Sequence, residues 1–189
     1  MTRLTGTKKY VAAAAIAAAA LAAVPAAAHA VAPVRVQAEA QDRQAGATAD
    51  EAAPVRVVAP GEHVRAGAGV EIWLTEEGKH WSTPEMDHQF RSVVDGNIDL
   101  RHPGVGLSTE VLGDRYFLSG ILVARQGSVR VVVDTSDGKV DASVVRLPGR
   151  PGWGAWYVDV PLHDELTVDR VTLFDGRGKQ IASLSPSHP

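Results

Sequence analysis

Val70-Glu71-Ile72-Trp73-Leu74-Thr75 alternates aliphatic residues with polar or amphipathic ones. Successive side chains of a strand point to opposite faces, so Val70, Ile72 and Leu74 share one face and Glu71, Trp73 and Thr75 the other. That pattern marks a strand with one buried side. Toward the C-terminus the same reading predicts strands at Phe90–Val94, Val105–Val111, Tyr116–Ala124, Val129–Asp134, Val140–Leu147, Ala155–Val160, Leu166–Phe174 and Lys179–Leu184. Gly113-Asp114, Gln126-Gly127, Asp137-Gly138 and Asp175-Gly176-Arg177-Gly178 lie between them. Such short connections suit hairpins, because positive φ falls on Gly, Asn or Asp.

Closely spaced strands with almost no helical periodicity predict an all-β fold. The expected architecture is an immunoglobulin-like antiparallel β-sandwich of about seven to nine strands, with a small β-barrel as the alternative. The strands are short, and Leu147–Gly154 reads as a connection crossing the end of a sandwich rather than as a hairpin. Both features favour the sandwich. The one helical candidate is Pro84–Phe90, with Thr83 as N-cap and Pro84 at the first helical position.

The β pattern begins near Val55, and the domain is placed at residues 54–186. Residues 31–53 read as a disordered, Ala-rich tether. From Gln37 to Ala53 there is no aromatic residue and no apolar side chain larger than alanine, too little to offset ordering entropy. Ala32-Pro33-Val34-Arg35-Val36 recurs as Ala53-Pro54-Val55-Arg56-Val57, and the second copy is expected to open the folded domain. Before the tether come Arg3, Lys8 and Lys9, an apolar run from Val11 to Val24, Pro25, and Ala28-His29-Ala30. These are the parts of a secretory signal peptide over residues 1–30, with cleavage expected after Ala30 by the general secretory pathway. The run falls short of the roughly 20 apolar residues of a spanning helix, so no stable membrane insertion is expected after cleavage.

The chain carries 19 basic and 22 acidic residues, a net −3. Removing Arg3, Lys8 and Lys9 leaves 16 basic against 22 acidic, or −6. An acidic domain without runs of one charge does not suit nucleic acid or anionic lipid. Without cysteine, disulfides, thiolate nucleophiles and Cys-ligated zinc are excluded, and no cofactor is implied.

Several stretches gather residues capable of chemistry. Trp73 to Trp81 includes Glu76, Glu77 and His80, which could perform acid–base work between two indoles. The alternative is a hairpin turning at Glu77-Gly78, with Trp73 and Trp81 packed as a cross-strand pair. Leu147 to Tyr157 combines two prolines, three glycines, Arg150, Trp153, Trp156 and Tyr157. A ring held out on a rigid loop can anchor a ligand, so Trp81, Trp153, Arg150 and Tyr157 are the candidate binding residues. Against that stands a structural plug at the end of the sandwich.

Asp95, Asn97 and Asp99 are spaced like the start of a calcium loop. An EF-hand would require glycine at position 100 and glutamate at 106, where the chain has Leu100 and Gly106. Of His63, His80, His88, His102, His163 and His188, no two stand at i+2, i+3 or i+4, so no local metal clamp is expected. No serine lies in a nucleophile-elbow or S-x-x-K motif. Ser119-Gly120, inside a strand pattern, suggests a bulge.

Trp73-Leu74-Thr75-Glu76-Glu77-Gly78-Lys79-His80-Trp81-Ser82-Thr83-Pro84 and Leu147–Tyr157 resemble segments of small exported proteins of high-GC Gram-positive bacteria (actinobacteria). The alanine-rich leader and the use of 14 Arg against 5 Lys suit that source. The group has no assigned activity, so the resemblance implies export and source and carries over no functional residue. The sequence thus leads to a secreted, non-enzymatic module that binds a cell-envelope or extracellular ligand through aromatic loops. The alternatives are a small extracellular hydrolase acting on cell-wall carbohydrate or peptide, and a structural domain stabilised by calcium.

Overall fold

The computed structural model describes residues 55–125, 127–149 and 151–186; the expected leader, the tether, Arg150 and His188 lie outside these. The described residues form thirteen strands and no helix: β1 (Arg56–Val57), β2 (Val64–Gly67), β3 (Val70–Thr75), β4 (Gly78–Ser82), β5 (Gln89–Ser92), β6 (Gly104–Val105), β7 (Ser108–Leu112), β8 (Arg115–Val123), β9 (Val129–Thr135), β10 (Gly138–Arg146), β11 (Trp153–Pro161), β12 (Val168–Asp175) and β13 (Gln180–Leu184). The all-β expectation is met. The four extra strands are β1, β2, β4 and the one gained where the predicted 105–111 strand breaks at Gly106-Leu107 into β6 and β7.

Strands β2-β3-β4-β5 make a four-stranded antiparallel meander. The other nine form one large sheet in the order β13-β12-β9-β10-β11-β8-β6, with β7 also on β8 and β1 running parallel to β10. The two ends of that path, β6 and β13, come into contact, so the sheet curls almost into a barrel. The molecule is therefore compatible with both a sandwich and a small barrel: a curled sheet with one wall covered by a meander.

β8 explains this arrangement. Leu118 and Leu122 point into the curled sheet, packing with Val131, Val133, Trp156, Val171 and Leu173. Phe117, Ile121 and Val123 point the other way and meet Ile72, Leu74 and Trp81 of the meander. With both faces covered, β8 lacks a strict alternation of apolar and polar residues, as strands buried on both faces do.

Three local expectations are corrected. β10 and β11 pair directly, Val144 opposite Trp156, so residues 147–152 close a hairpin; a six-residue loop held by two prolines and two glycines looks from sequence like a crossing. The β8–β9 connection, residues 124–128, is a crossing instead, because β10 and β11 lie between β8 and β9 in the sheet. At residues 84–90 no helix forms. Thr83 Oγ1 accepts from the amides of Glu85 and Met86, as an N-cap would, but the chain then turns extended into β5.

Candidate functional site

The β3–β4 hairpin turns on Glu76-Glu77, pairing Thr75 with Gly78, Leu74 with Lys79, Trp73 with His80 and Ile72 with Trp81. Opposite partners share a face, so the register that buries Leu74 and Ile72 also turns Lys79 and Trp81 inward. Lys79 is 1% exposed. Its Nζ donates to Ser119 Oγ of β8 at 2.8 Å and stands 4.2 Å from the Trp81 ring centre. Trp81 Nε1 in turn donates to Glu110 Oε1 on β7 at 3.2 Å. Among the described residues no carboxylate forms an ion pair with Lys79, and Glu110 attracts it only at longer range. Burial pulls the Lys79 pKa down to about 7; Arg91 adds to the fall and Glu110 opposes it.

Lys79 forms part of the wall of a groove of about 680 Å³, in the size range of small-molecule sites. Ile98, Val105, Leu107, Ile121 and Val123 supply its apolar surface, and Arg91, Asn97, Asp99, His102 and Ser108 its polar positions. Arg91, directly opposite Lys79 across β4 and β5, is exposed and makes no hydrogen bond or ion pair among the described residues. Two cations thus converge on one groove with no carboxylate ion-paired to either among the described residues, although Asp99 lines the same groove and Asp95 attracts Arg91 at longer range. No family model, curated protein or solved structure matches this chain.

Gly120 shapes one side of it. β8 runs against β11 in unbroken register from Arg115 to Val123, so the bulge expected at Ser119-Gly120 is absent. The glycine is needed because a Cβ there would lie 1.9 Å from Gly106 O and 2.6 Å from Trp156 Nε1. Trp156 Nε1 donates to that carbonyl at 3.0 Å and fixes the Gly106-Leu107 break between β6 and β7. Ser119 itself is 1% exposed and lies behind Lys79, outside the lining of the groove.

The residues singled out from sequence fall elsewhere. Trp81 and Trp153, expected as exposed anchors, are core residues at 9% and 2% exposure, because register and the 147–152 hairpin turn both rings inward. Trp73 and Trp81 are not a cross-strand pair, since Trp73 faces His80 and Trp81 faces Ile72. Tyr157 is half-buried opposite Ser119, its ring 6.3 Å from Phe117. Glu76 and Glu77 are exposed at the turn, and neither they nor His80 line the groove.

Asp95, Asn97 and Asp99 do not converge as ligands. Both Asp95 oxygens accept from Asn97, and Asp99 accepts from the Arg101 amide, Arg101 Nε and His102 Nδ1. These bonds, that to His102 foremost, hold the Asp99 carboxyl far below the usual carboxylate range. Among the described residues no cluster of three or more His, Asp or Glu side chains is placed to hold a metal ion.

Two further features were not legible from spacing. His63, His80 and His88 gather around Trp73 on the outer face of the meander, with ring centres 4.2, 5.5 and 5.5 Å from the indole. His80 Nδ1 lies 2.9 Å from His88 Nε2, and burial together with the His88 charge lowers the His80 pKa, against a smaller opposing pull from Glu77. At the far end, a cleft of about 760 Å³ runs past Val57, Leu147 and Trp153 to Arg146. Arg146 already serves the fold, donating to Ala124 O at 3.1 Å and Gly127 O at 3.3 Å and thereby holding the β8–β9 crossing.

Proposed function

We propose that this protein is an exported, non-enzymatic binding domain whose ligand lies in the groove walled by Lys79, Arg91, Val105 and Ile121. The observation that carries the reading is the buried Lys79. An ammonium taken out of water without an ionic partner lowers stability, and such groups concentrate where a ligand or reaction needs them. The groove adds an apolar wall and an unpaired guanidinium beside it. Aromatic loops, the surface expected from sequence, are replaced as the contact by this groove, since Trp81 and Trp153 are spent on the core. A binding role is favoured over hydrolysis because the one hydroxyl bonded to Lys79, that of Ser119, lies behind the lysine rather than on the groove wall. Export rests on the basic, apolar and small-residue parts of residues 1–30.

Two measurements test this. Fractionation of the producing cell should find the chain outside the cytoplasm with an N-terminus at Val31; an intact Met1 in the cytosol removes the export half. Fragment screening by amide chemical shifts should move residues 91, 97–108 and 120–123. Shifts gathered instead around Trp73 and His88 would place the ligand on the outer face of the meander and end the groove reading.

A further inference from the structure

Resting on the groove reading, we infer that the ligand is an amphipathic organic anion, its carboxylate or phosphate set against Arg91 and Lys79 and its apolar body on Ile98, Val105, Ile121 and Val123. Lys79 and Arg91 are directly opposed across β4 and β5, where like charges repel. Both line the groove, and neither has an ion-pair partner among the described residues. The carboxylates around the groove compensate this charge only in part: Glu110 accepts from Trp81 Nε1 and attracts Lys79 at longer range, Asp95 is bonded to Asn97 and attracts Arg91 without an ion pair, and Asp99 is taken by Arg101 and His102. Arg91 offers several donors in a planar fork on an exposed side chain free to take a carboxylate or phosphate. Beyond that head site the lining turns aliphatic, which a fully polar anion would leave uncovered.

The same geometry couples binding to a proton. The charged groups acting on Nζ are Arg91 on β5 and Glu110 on β7; Asp99 and His102 also line the groove, Asp95 acts on Arg91, and only Trp81 and Ser119 are in direct contact. With a pKa of about 7, Lys79 is only partly charged near neutrality, and an anion in the groove favours the charged form. Binding near pH 7.5 then takes up a fraction of a proton, and affinity falls as pH rises.

Four probes of one shape test the class on the full-length protein: 4-phenylbutyrate, 4-phenylbutyl phosphate, 4-phenylbutanamide and 4-phenylbutylammonium. Amide shifts give site and affinity, and calorimetry in buffers of different ionisation enthalpy gives the proton count. The anions should bind at least about tenfold more tightly than the amide and the ammonium more weakly still. Arg91→Ala, at an exposed position that the core does not use, should cost the anions about tenfold and the amide little. Arg65→Ala, at an exposed position of β2, should change neither. The ratio of carboxylate to phosphate affinity names the head group. If the amide binds the groove as well as the anions do, or if Arg91→Ala leaves anion affinity unchanged, the anion class is wrong while the groove stands. If no probe moves a groove amide although the spectrum shows the folded protein, both readings fall.

Discussion

Lys79 Nζ and Ser119 Oγ meet at 2.8 Å between the meander and the curled sheet, 40 residues apart in the chain, and this is the one side-chain hydrogen bond of Lys79 among the described residues. A single neutral partner does not compensate a buried ammonium, which has three donors and a charge to place. The fold therefore holds this contact at a cost.

That cost is measurable. Lys79→Met alone would leave the Ser119 hydroxyl without its partner, so the informative variant is Lys79→Met with Ser119→Ala. It replaces a polar pair by apolar groups of similar volume and should raise stability by about 1–4 kcal/mol at pH 7, read from urea unfolding. Loss of stability in the double variant would mean that the pair supports the fold, and would remove the physical basis for a ligand site.

The pH dependence has a definite sign. The Lys79 pKa is about 7 in the folded chain and near 10.5 unfolded, so between those values the unfolded state binds more protons. Stability contributed at this site rises with pH from about 7 to 10 and is lowest below 7. Melting curves of the wild type and the double variant should converge as pH is raised from 7 toward 10. A constant gap across that range would show that Lys79 does not titrate in the folded protein as its burial requires.

Little of the Lys79 site was readable beforehand, although the strands around it were. In a segment holding Glu76, Glu77 and His80, a lysine reads as part of a solvated hairpin tip. One signal was present: Lys79 stands two residues before Trp81 and therefore shares its face, and fixing which face of β4 is inward would have buried both. Alternation gave the strands but not their phase in short elements, and it could not give register between elements. Register is what brings Arg91 opposite Lys79 and gathers His63, His80 and His88 on Trp73. The 147–152 loop misled for a related reason, since a proline-rich hairpin and a crossing share one composition.

The histidine cluster should make the protein sensitive to acid. The folded His80 pKa lies below its ordinary value, from burial and from His88, so as pH falls through about 6.5 the unfolded state takes up the proton first and stability drops. His88→Gln keeps a partner for His80 Nδ1 while removing the neighbouring charge. The melting temperature of this variant should fall less steeply between pH 7 and 5 than that of the wild type. An identical slope would mean that the two rings do not sense each other.

The β2–β3 turn holds a correctable strain. Ala68 has φ of 47° and is the only non-glycine described at positive φ, followed by Gly69 at 74°. A two-residue turn with both central residues in this region favours Asn-Gly. Ala68→Gly or Ala68→Asn should therefore raise stability by roughly 0.5–1 kcal/mol, visible as a higher urea midpoint at unchanged slope. A lower midpoint would show that the Ala68 side chain makes a contact worth more than its backbone strain.

Gly120 joins the fold to the groove, and its replacement should affect both. The Cβ of Gly120→Ala would collide with the Gly106 carbonyl and with Trp156 Nε1, and backbone cannot yield as a flexible side chain can. Overpacking and loss of the Trp156–Gly106 hydrogen bond together should cost about 3 kcal/mol or more. Gly106 and Gly120 both line the groove, so the displaced β6–β7 break should also move amide signals at residues 104–108 while those of β12 and β13 stay in place. Equal shifts across both sheets would indicate general loosening. Unchanged shifts at 104–108 would show that Gly106 does not lie against β8 as described, and the wall of the proposed site would have to be redrawn.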